Sequence, residues 1–222
     1  MKKAIFVSFV LFSVSLSLYG QNNFFFVDAG LGGSFQSLSA GTINNKANGF
    51  ELSVDLGYRF NYIGVGITSN LFGLYSFTGD LAGMDYDTKV IENGIRFDIL
   101  PYLFAAFNPI NSLELSLGIG PHIGIYNYDI NTEKTVFSGY VKNCSINTST
   151  YGIGFLSSIK YFVNDRLYIG GRMEIAFDFG GETVIEEDAY TGYGLSTRHY
   201  TTKLTDTKNN VFKIGLIIGF RL

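Results

Sequence analysis

The fold is decided by residues 50–60, which read FELSVDLGYRF. Every second residue from Phe50 to Phe60 is apolar, and the residues between them are polar, charged or glycine. Successive side chains of a β-strand point to opposite sides, so this period of two predicts a strand whose two faces meet different surroundings. One face is apolar, and the other carries Glu51, Asp55 and Arg59.

The same alternation recurs along the chain and predicts eight strands in all. The seven further segments lie at residues 25–32, 63–68, 91–99, 113–125, 151–161, 167–178 and 211–222. After Pro101 the pattern becomes ambiguous because Tyr102, Leu103 and Phe104 are all apolar. Proline removes a ladder donor and often marks a bulge, so a change of register is expected there.

The connections between these segments alternate in length. Short, turn-like links lie around Asn61 and at residues 108–111 and 164–165, whereas residues 37–48, 74–89, 127–149 and 180–209 are long and polar. An even strand number with alternating short turns and long loops is the plan of an outer-membrane barrel. The predicted fold is all-β, an eight-stranded antiparallel up-and-down transmembrane β-barrel with short periplasmic turns and four long outer loops.

Composition narrows the possible classes. Of 222 residues, 46% are hydrophobic and only 16% are charged, against roughly 25% in average globular proteins. The 27 glycines show no collagen period, and a single cysteine, Cys144, excludes a disulfide framework and a cysteine-based metal cluster. A net charge of −3 without a basic block argues against nucleic acid as a partner.

The alternation alone fits a soluble periplasmic lipocalin-like can as well as a membrane barrel, so residue type must decide. Small residues interspersed with charges suit a cramped lumen where charges pair, and the nearly charge-free opposite face suits lipid. Aromatic residues near the short turns predict an interfacial girdle. The predicted girdle comprises Tyr58, Phe60, Tyr62, Phe104, Phe107, Tyr161, Phe162, Tyr168 and Phe220.

Residues 1–20 read as a cleaved secretory signal peptide. Lys2 and Lys3 precede an apolar stretch at residues 4–18 that is too short to span a bilayer as a helix, and Gly20 suits cleavage. Residues 21–222 are then a single barrel domain, located in the outer membrane of a Gram-negative bacterium.

The mature chain resembles the small outer-membrane β-barrels of the OmpA/OmpX type, and especially the Bacteroidetes outer-membrane barrel-domain (PorT-like) proteins. The most specific part of the resemblance is the C-terminal strand, which ends in Leu222 where the family usually ends in Phe. The resemblance implies contact with outer-membrane lipid and a C-terminal signal for the barrel-insertion machinery. That implied signal comprises Phe212, Ile214, Leu216, Ile218, Phe220 and Leu222.

Charged residues on the polar faces are expected to share one lumen. They are Glu51, Asp55, Arg59, Glu92, Arg96, Asp98, Glu114, Lys160, Arg172, Glu174, Asp178, Lys213 and Arg221. Eight strands leave an interior that side chains just fill, so a plug of paired charges is expected. The alternative is a gate in which ion pairs exchange partners, as the resemblance to OmpA-type barrels implies.

Catalysis and metal binding find little support. Barrel enzymes that modify lipopolysaccharide place a His and a Ser together, but His122 is predicted in the lumen and His199 in the fourth loop, three residues after Ser196. Two histidines without a cysteine cluster disfavour zinc. We therefore predict no catalytic residue, no cofactor and no metal.

Three hypotheses for the role remain for a membrane barrel. The first is a non-enzymatic protein with a structural or interaction role, whose exposed loops contact an extracellular or periplasmic protein. The second is a small channel or transport component, and the third is a lipid-modifying enzyme.

Overall fold

The computed structural model describes residues 23–41, 43–79, 90–91, 94–136, 139–190 and 197–222. They form ten strands: β1 Phe24–Ala40, β2 Ile43–Phe60, β3 Ile63–Gly79, β4 Val90–Ile91, β5 Gly94–Ile110, β6 Leu113–Val136, β7 Gly139–Phe162, β8 Leu167–Tyr190, β9 Thr197–Thr205 and β10 Lys208–Arg221. No helix within this part of the chain is long and apolar enough to cross a membrane.

Eight of the strands close into a ring. Antiparallel pairing runs from β1 through β2, β3, β5, β6, β7 and β8, and β10 pairs with both β8 and β1. The short β4 continues the ladder on β3, while β9 pairs with β8 beyond the ring. Only Asp206, at φ 66°, and Thr207 separate β9 from β10, so the two form one bent strand. The predicted eight-stranded antiparallel barrel is confirmed.

Three short turns, the first described residue, Asn23, and the C-terminal Leu222 lie at one end of the barrel, here named the turn end. Asn61 adopts a φ of 54° between β2 and β3, and Asn164 accepts bonds from the amides of Arg166 and Leu167 between β7 and β8. Phe25 and Leu222 exchange backbone hydrogen bonds of 3.2 and 2.8 Å. These bonds close the seam between the first and last strands.

At the opposite end, here named the hairpin end, strands continue into segments that the sequence reading treats as loops. β1 and β2 meet around Gly41, whose φ of 61° favours glycine. β6, β7 and β8 each extend over 24 residues, against 17 or 18 in β1, β2, β3 and β5. The sequence does not reveal this continuation, because polar residues interrupt the apolar alternation there, whereas backbone pairing does not depend on that alternation.

The two faces of each ring strand differ as the alternation predicts. Outward side chains are largely apolar and exposed, as at Leu216 with 75% and Ile153 with 43% exposure. Lumenal side chains are mostly polar and buried, as at Asp28 and Arg96, each with 1% exposure.

The prediction of a register change at Pro101 is wrong. Ile99 pairs with Ile123 and Leu103 with Ile119 in one continuous register, which places Pro101 opposite Pro121. Two prolines without N–H groups interrupt the ladder there without shifting it. Gly120 accommodates this approach, because a Cβ at Gly120 would lie 1.8 Å from the carbonyl oxygen of Pro101.

Three residues of the predicted girdle point inward instead. Because the alternation continues through Pro101, Phe104 lies in the lumen with 7% exposure. Tyr168 shares the lumenal face of β8 with Arg172 and is fully buried. Phe162 lies beneath the guanidinium of Arg221, whose carbon is 5.1 Å from the ring centroid. These three aromatic rings fill the turn end of the lumen.

Candidate functional site: the lumenal charge network

At the turn end, the lumen is closed by Arg59 and Arg221. Arg59 forms an ion pair with Glu114 and donates a 2.9 Å hydrogen bond to Asn108. The guanidinium of Arg221 stacks 3.9 Å above the ring centroid of Phe24. Each cation therefore has a partner that compensates for its removal from water.

Above this closure, two carboxylates share one guanidinium. Arg172 lies 3.4 Å from Asp28 and 3.5 Å from Asp55. Tyr168 donates a 3.0 Å hydrogen bond to Asp28, and Tyr102 donates one of 2.7 Å to Asp55. Lys160 approaches Asp28 at 3.3 Å and lies 4.1 Å from the ring centroid of Phe26.

Lys213 is the centre of the next level. Its Nζ lies 2.6 Å from Glu174, 2.8 Å from Asp98 and 3.4 Å from Glu51. These carboxylates come from β8, β5 and β2, so one ammonium from β10 connects four strands. Arg96 is also paired with Asp98, lies 3.5 Å from Glu51 and donates to Ser34 at 2.6 Å.

His122 borders this level from β6 and is fully buried. Its Nδ1 lies 2.7 Å from Asp178, which also accepts a 2.6 Å hydrogen bond from Thr150. Its Nε2 faces Asp98 at 3.8 Å and Glu174 at 4.0 Å. The imidazole therefore lies among three carboxylates contributed by two other strands.

The ligand atoms of Asp98, His122 and Glu174 lie within 4.8 Å of one another, which is a spacing that suits a metal ion. Lys213 already contacts both carboxylates through its ammonium group. A cation of the chain thus already compensates the charge of these two carboxylates.

Toward the hairpin end, hydroxyl and apolar side chains replace charges. Thr183 is linked through its Oγ1 to Thr148 at 3.1 Å and to Thr207 at 2.9 Å. Ile146 and Ile185 are buried beside them, with 1% and 2% exposure.

A small void lies at one of these levels. Beside Glu174 and Lys213 it measures about 20 Å³. A water molecule needs roughly 10–15 Å³ of such space, so this void holds about one.

The structure places twelve of the thirteen predicted lumenal residues inside the barrel, eleven of them buried and Arg221 half-buried at the turn end. Glu92 lies outside the described residues. Sequence reasoning left out Asp28, although its position on the polar face of the first segment was a usable signal. It also left out Tyr102 and Tyr168, whose hydroxyl groups bind the carboxylates of Asp55 and Asp28.

The remaining predicted residues lie on the outside of the barrel or beyond its rim. The six residues of the implied insertion signal face outward along β10 and at the chain end, with Phe212 38% exposed. His199 lies on β9 and contacts Asp188 at 2.9 Å. That hydrogen bond raises the pKa of the His199 imidazole above its usual value. Ser196 lies outside the described residues, as do residues 1–20.

Comparison with known proteins identifies a shared fold. No protein-family model matches the chain, and no curated protein does. Among solved structures, the outer membrane protein OprG from Pseudomonas aeruginosa is similar with a TM-score of 0.62 and 13% identity, covering 90% of this chain and 96% of OprG. The outer membrane protein AlkL, solved in DMPC lipid bilayers, gives 0.51 and 13% identity, covering 91% of this chain and 93% of AlkL. The chain has the fold of these small outer-membrane barrels.

Proposed function

We propose that this protein is a non-enzymatic outer-membrane barrel that anchors an exposed sheet, and that its lumen is sealed. The observation that carries the proposal is the lumenal charge network, in which Lys213 alone contacts three carboxylates within 3.4 Å. A barrel selected for passive diffusion needs a continuous water path. Among the described residues, buried and paired side chains occupy the lumen instead.

The outward surface supports a place in a membrane. Side chains such as Leu31, Ile153 and Leu216 are about half exposed or more, with 58%, 43% and 75% of their surface free. In water, an apolar belt around a whole barrel would drive aggregation, whereas lipid solvates it. OprG and AlkL share this fold and are outer-membrane proteins. We therefore place the turn end in the periplasm and the hairpin end outside the cell.

The extended hairpin end supplies the surface for an interaction role. β8 and β9 pair from Glu182 with Thr205 to Tyr190 with Thr197, beyond the ring. Their outward face carries ion pairs between Lys203 and Glu182 at 2.8 Å and between His199 and Asp188 at 2.9 Å. Such a polar, ordered sheet suits contact with an extracellular protein.

The remaining expectations fit the same assignment. The outward β10 side chains from Phe212 to Leu222 would present the signal to the barrel-insertion machinery, and residues 1–20 would direct export. His122 is fully buried in the lumen, so its imidazole is not accessible to a substrate.

Folding and conductance test the proposal together. The mature chain, residues 21–222, is refolded from urea into detergent micelles or into plain buffer, and both samples are run boiled and unboiled on a gel. We expect a heat-sensitive band from micelles only, and no conductance steps after insertion into planar bilayers. A folded, soluble product in plain buffer would contradict the membrane placement, and sustained channel openings would contradict the sealed lumen.

A gated channel is the second candidate, and the position of Lys213 favours it. Three carboxylates lie within reach of one flexible ammonium, so partner exchange needs only rotation of the Lys213 side chain. In that case, Lys213→Gln would change channel openings that the unsubstituted protein already shows. Silence of the unsubstituted protein under all applied voltages would argue against this candidate.

A further inference from the structure

A groove runs along the outside of the barrel across β8, β10, β1 and β2. Ile175 on β8 is paired with Phe212 on β10, and Phe212 is paired with Phe35 on β1. These three outward side chains therefore form one row across the groove. The Phe35 and Phe212 rings lie 6.1 Å apart between centroids. The depression near these rings has a volume of about 450 Å³. A second depression of about 870 Å³ adjoins it on the turn-end side and extends past β8 onto β7, β6 and β5.

The turn-end part of this groove is apolar and is deepened by two outward glycines. Gly33 and Gly171 lie beside Ile214 and Leu216 in the outward rows of neighbouring strands. A Cβ built at Gly33 would have one neighbour within 4 Å, the Phe35 ring at 3.7 Å. There is therefore open space above Gly33 that a side chain could occupy. The resulting depression follows the barrel wall and suits an acyl chain.

The hairpin-end part is polar and cationic. One row beyond the Phe35–Phe212 pair, Ser37 is aligned with Asn210 on one side and with Lys46 on the other. The next row aligns Ser39 with Lys208. Lys46, Lys208 and Asn210 are exposed on the outward face. A cluster of amine, amide and hydroxyl groups therefore begins where the apolar belt ends.

The charges around this cluster leave both lysines available for a ligand. The nearby carboxylate of Glu182 on β8 is paired with Lys203 at 2.8 Å. Asp206 lies at the bend between β9 and β10, two residues before Lys208 and beyond the Ser37 row. Among the described residues of the Ser37 and Ser39 rows, the charges are the two ammonium groups of Lys46 and Lys208.

We propose that this groove binds a phosphorylated lipid of the outer leaflet, with the phosphate at Lys46, Lys208, Ser37 and Asn210 and an acyl chain over Gly33. This inference rests on the proposed outer-membrane placement, which puts the hairpin end in the outer leaflet. Ammonium, amide and hydroxyl groups all donate hydrogen bonds to phosphate oxygens, and those from ammonium are charge-assisted. An apolar depression directly beneath a cationic cluster suits an amphiphile that has an acyl chain and an anionic headgroup.

The test is native mass spectrometry of the refolded mature chain, released from zwitterionic micelles and titrated with diphosphorylated lipid A. We expect one retained lipid per barrel, and about tenfold weaker binding of the same lipid after enzymatic removal of its phosphates. The double variant Lys46→Gln/Lys208→Gln should bind the phosphorylated lipid about tenfold more weakly and lose the preference for phosphate. Gly33→Leu should fill the apolar groove and weaken the binding of both lipids several-fold.

The control is Arg166→Gln, which removes an exposed cation at the turn end, at the opposite end of the barrel from Lys46 and Lys208. It should leave lipid binding unchanged. Equal binding of phosphorylated and dephosphorylated lipid would overturn the proposal, and so would equal losses in the control and double variants. Displacement of the lipid by inorganic phosphate at the same concentration would assign the lysines to a free anion and would also overturn it.

Failure of this inference is separable from failure of the proposed function. Every variant is first run boiled and unboiled from micelles. A heat-sensitive barrel without selective lipid retention would overturn only the lipid site. A chain that folds in plain buffer would overturn the membrane placement itself.

Discussion

Lys213 and Ile214 are adjacent on β10, yet their side chains have opposite surroundings. Lys213 is buried and contacts three carboxylates, whereas Ile214 is 54% exposed on the outer wall. The lumen tolerates charge because each charge has partners, and the wall tolerates apolar surface because lipid surrounds it. The two faces of one strand therefore have different surroundings, and the effect of a substitution depends on the face that carries it.

The largest effect is expected where the lumen loses its central cation. Lys213→Met would leave Glu51, Asp98 and Glu174 without their shared ammonium, and removing one partner of a buried ion pair costs about 3–5 kcal/mol. Urea unfolding in lipid vesicles measures the loss. The adjacent outward substitution Ile214→Met keeps an apolar side chain in lipid and should change the free energy of unfolding little. Equal effects at both positions would contradict the difference between the faces.

The converse substitution places a charge on the wall. Leu216 is 75% exposed near the middle of the apolar belt, and an arginine at that depth of a membrane barrel costs about 2–4 kcal/mol. Leu216→Arg should therefore lower the free energy of unfolding in vesicles by that amount. Leu216→Met, which keeps an apolar side chain at the same position, serves as the control. An unchanged stability of Leu216→Arg would indicate that this face does not meet lipid.

A smaller effect is expected in the uncharged end of the lumen. Thr183→Val removes the hydroxyl that connects Thr148 with Thr207, and a hydrogen bond of this kind contributes about 1 kcal/mol. Thr205→Val, on the exposed outward face of β9, is the control and should be neutral. The same urea titrations compare them. A loss as large as that of Lys213→Met would show that the two ends of the lumen are equally sensitive.

The alternation of residue types suffices to predict the strands, their two faces and most of the lumenal residues. It cannot predict which charges meet, because the pairing of Lys213 with Asp98 depends on how the ring closes. It also fails where consecutive residues are apolar, as around Phe104, and where polar residues interrupt the alternation, as in the extensions of β6 to β8. Asp28 could have been assigned to the network from its face alone, whereas the hub at Lys213 required the closed barrel.

The smallest expected effect lies outside the membrane, at the contact between His199 and Asp188. The carboxylate favours the protonated imidazole, so the folded-state pKa of His199 should exceed its usual value of about 6.5. The stabilising contact is complete below the unfolded-state pKa and is lost as the pH rises through the folded-state pKa. NMR titration of His199 in micelles should show this raised pKa, and Asp188→Asn should lower it. An identical pKa in both proteins would exclude the contact in solution.

The central claim is that apolar side chains face lipid while the lumen excludes it, and tryptophan fluorescence tests it directly because the chain contains no tryptophan. Phe155 and Leu103 each pair with Ile119, so outward Phe155 and lumenal Phe104 lie at nearly the same height. In vesicles with brominated acyl chains, Phe155→Trp should be strongly quenched and Phe104→Trp should not. Equal quenching of the two tryptophans, or quenching of Phe104→Trp alone, would contradict the assignment of the faces.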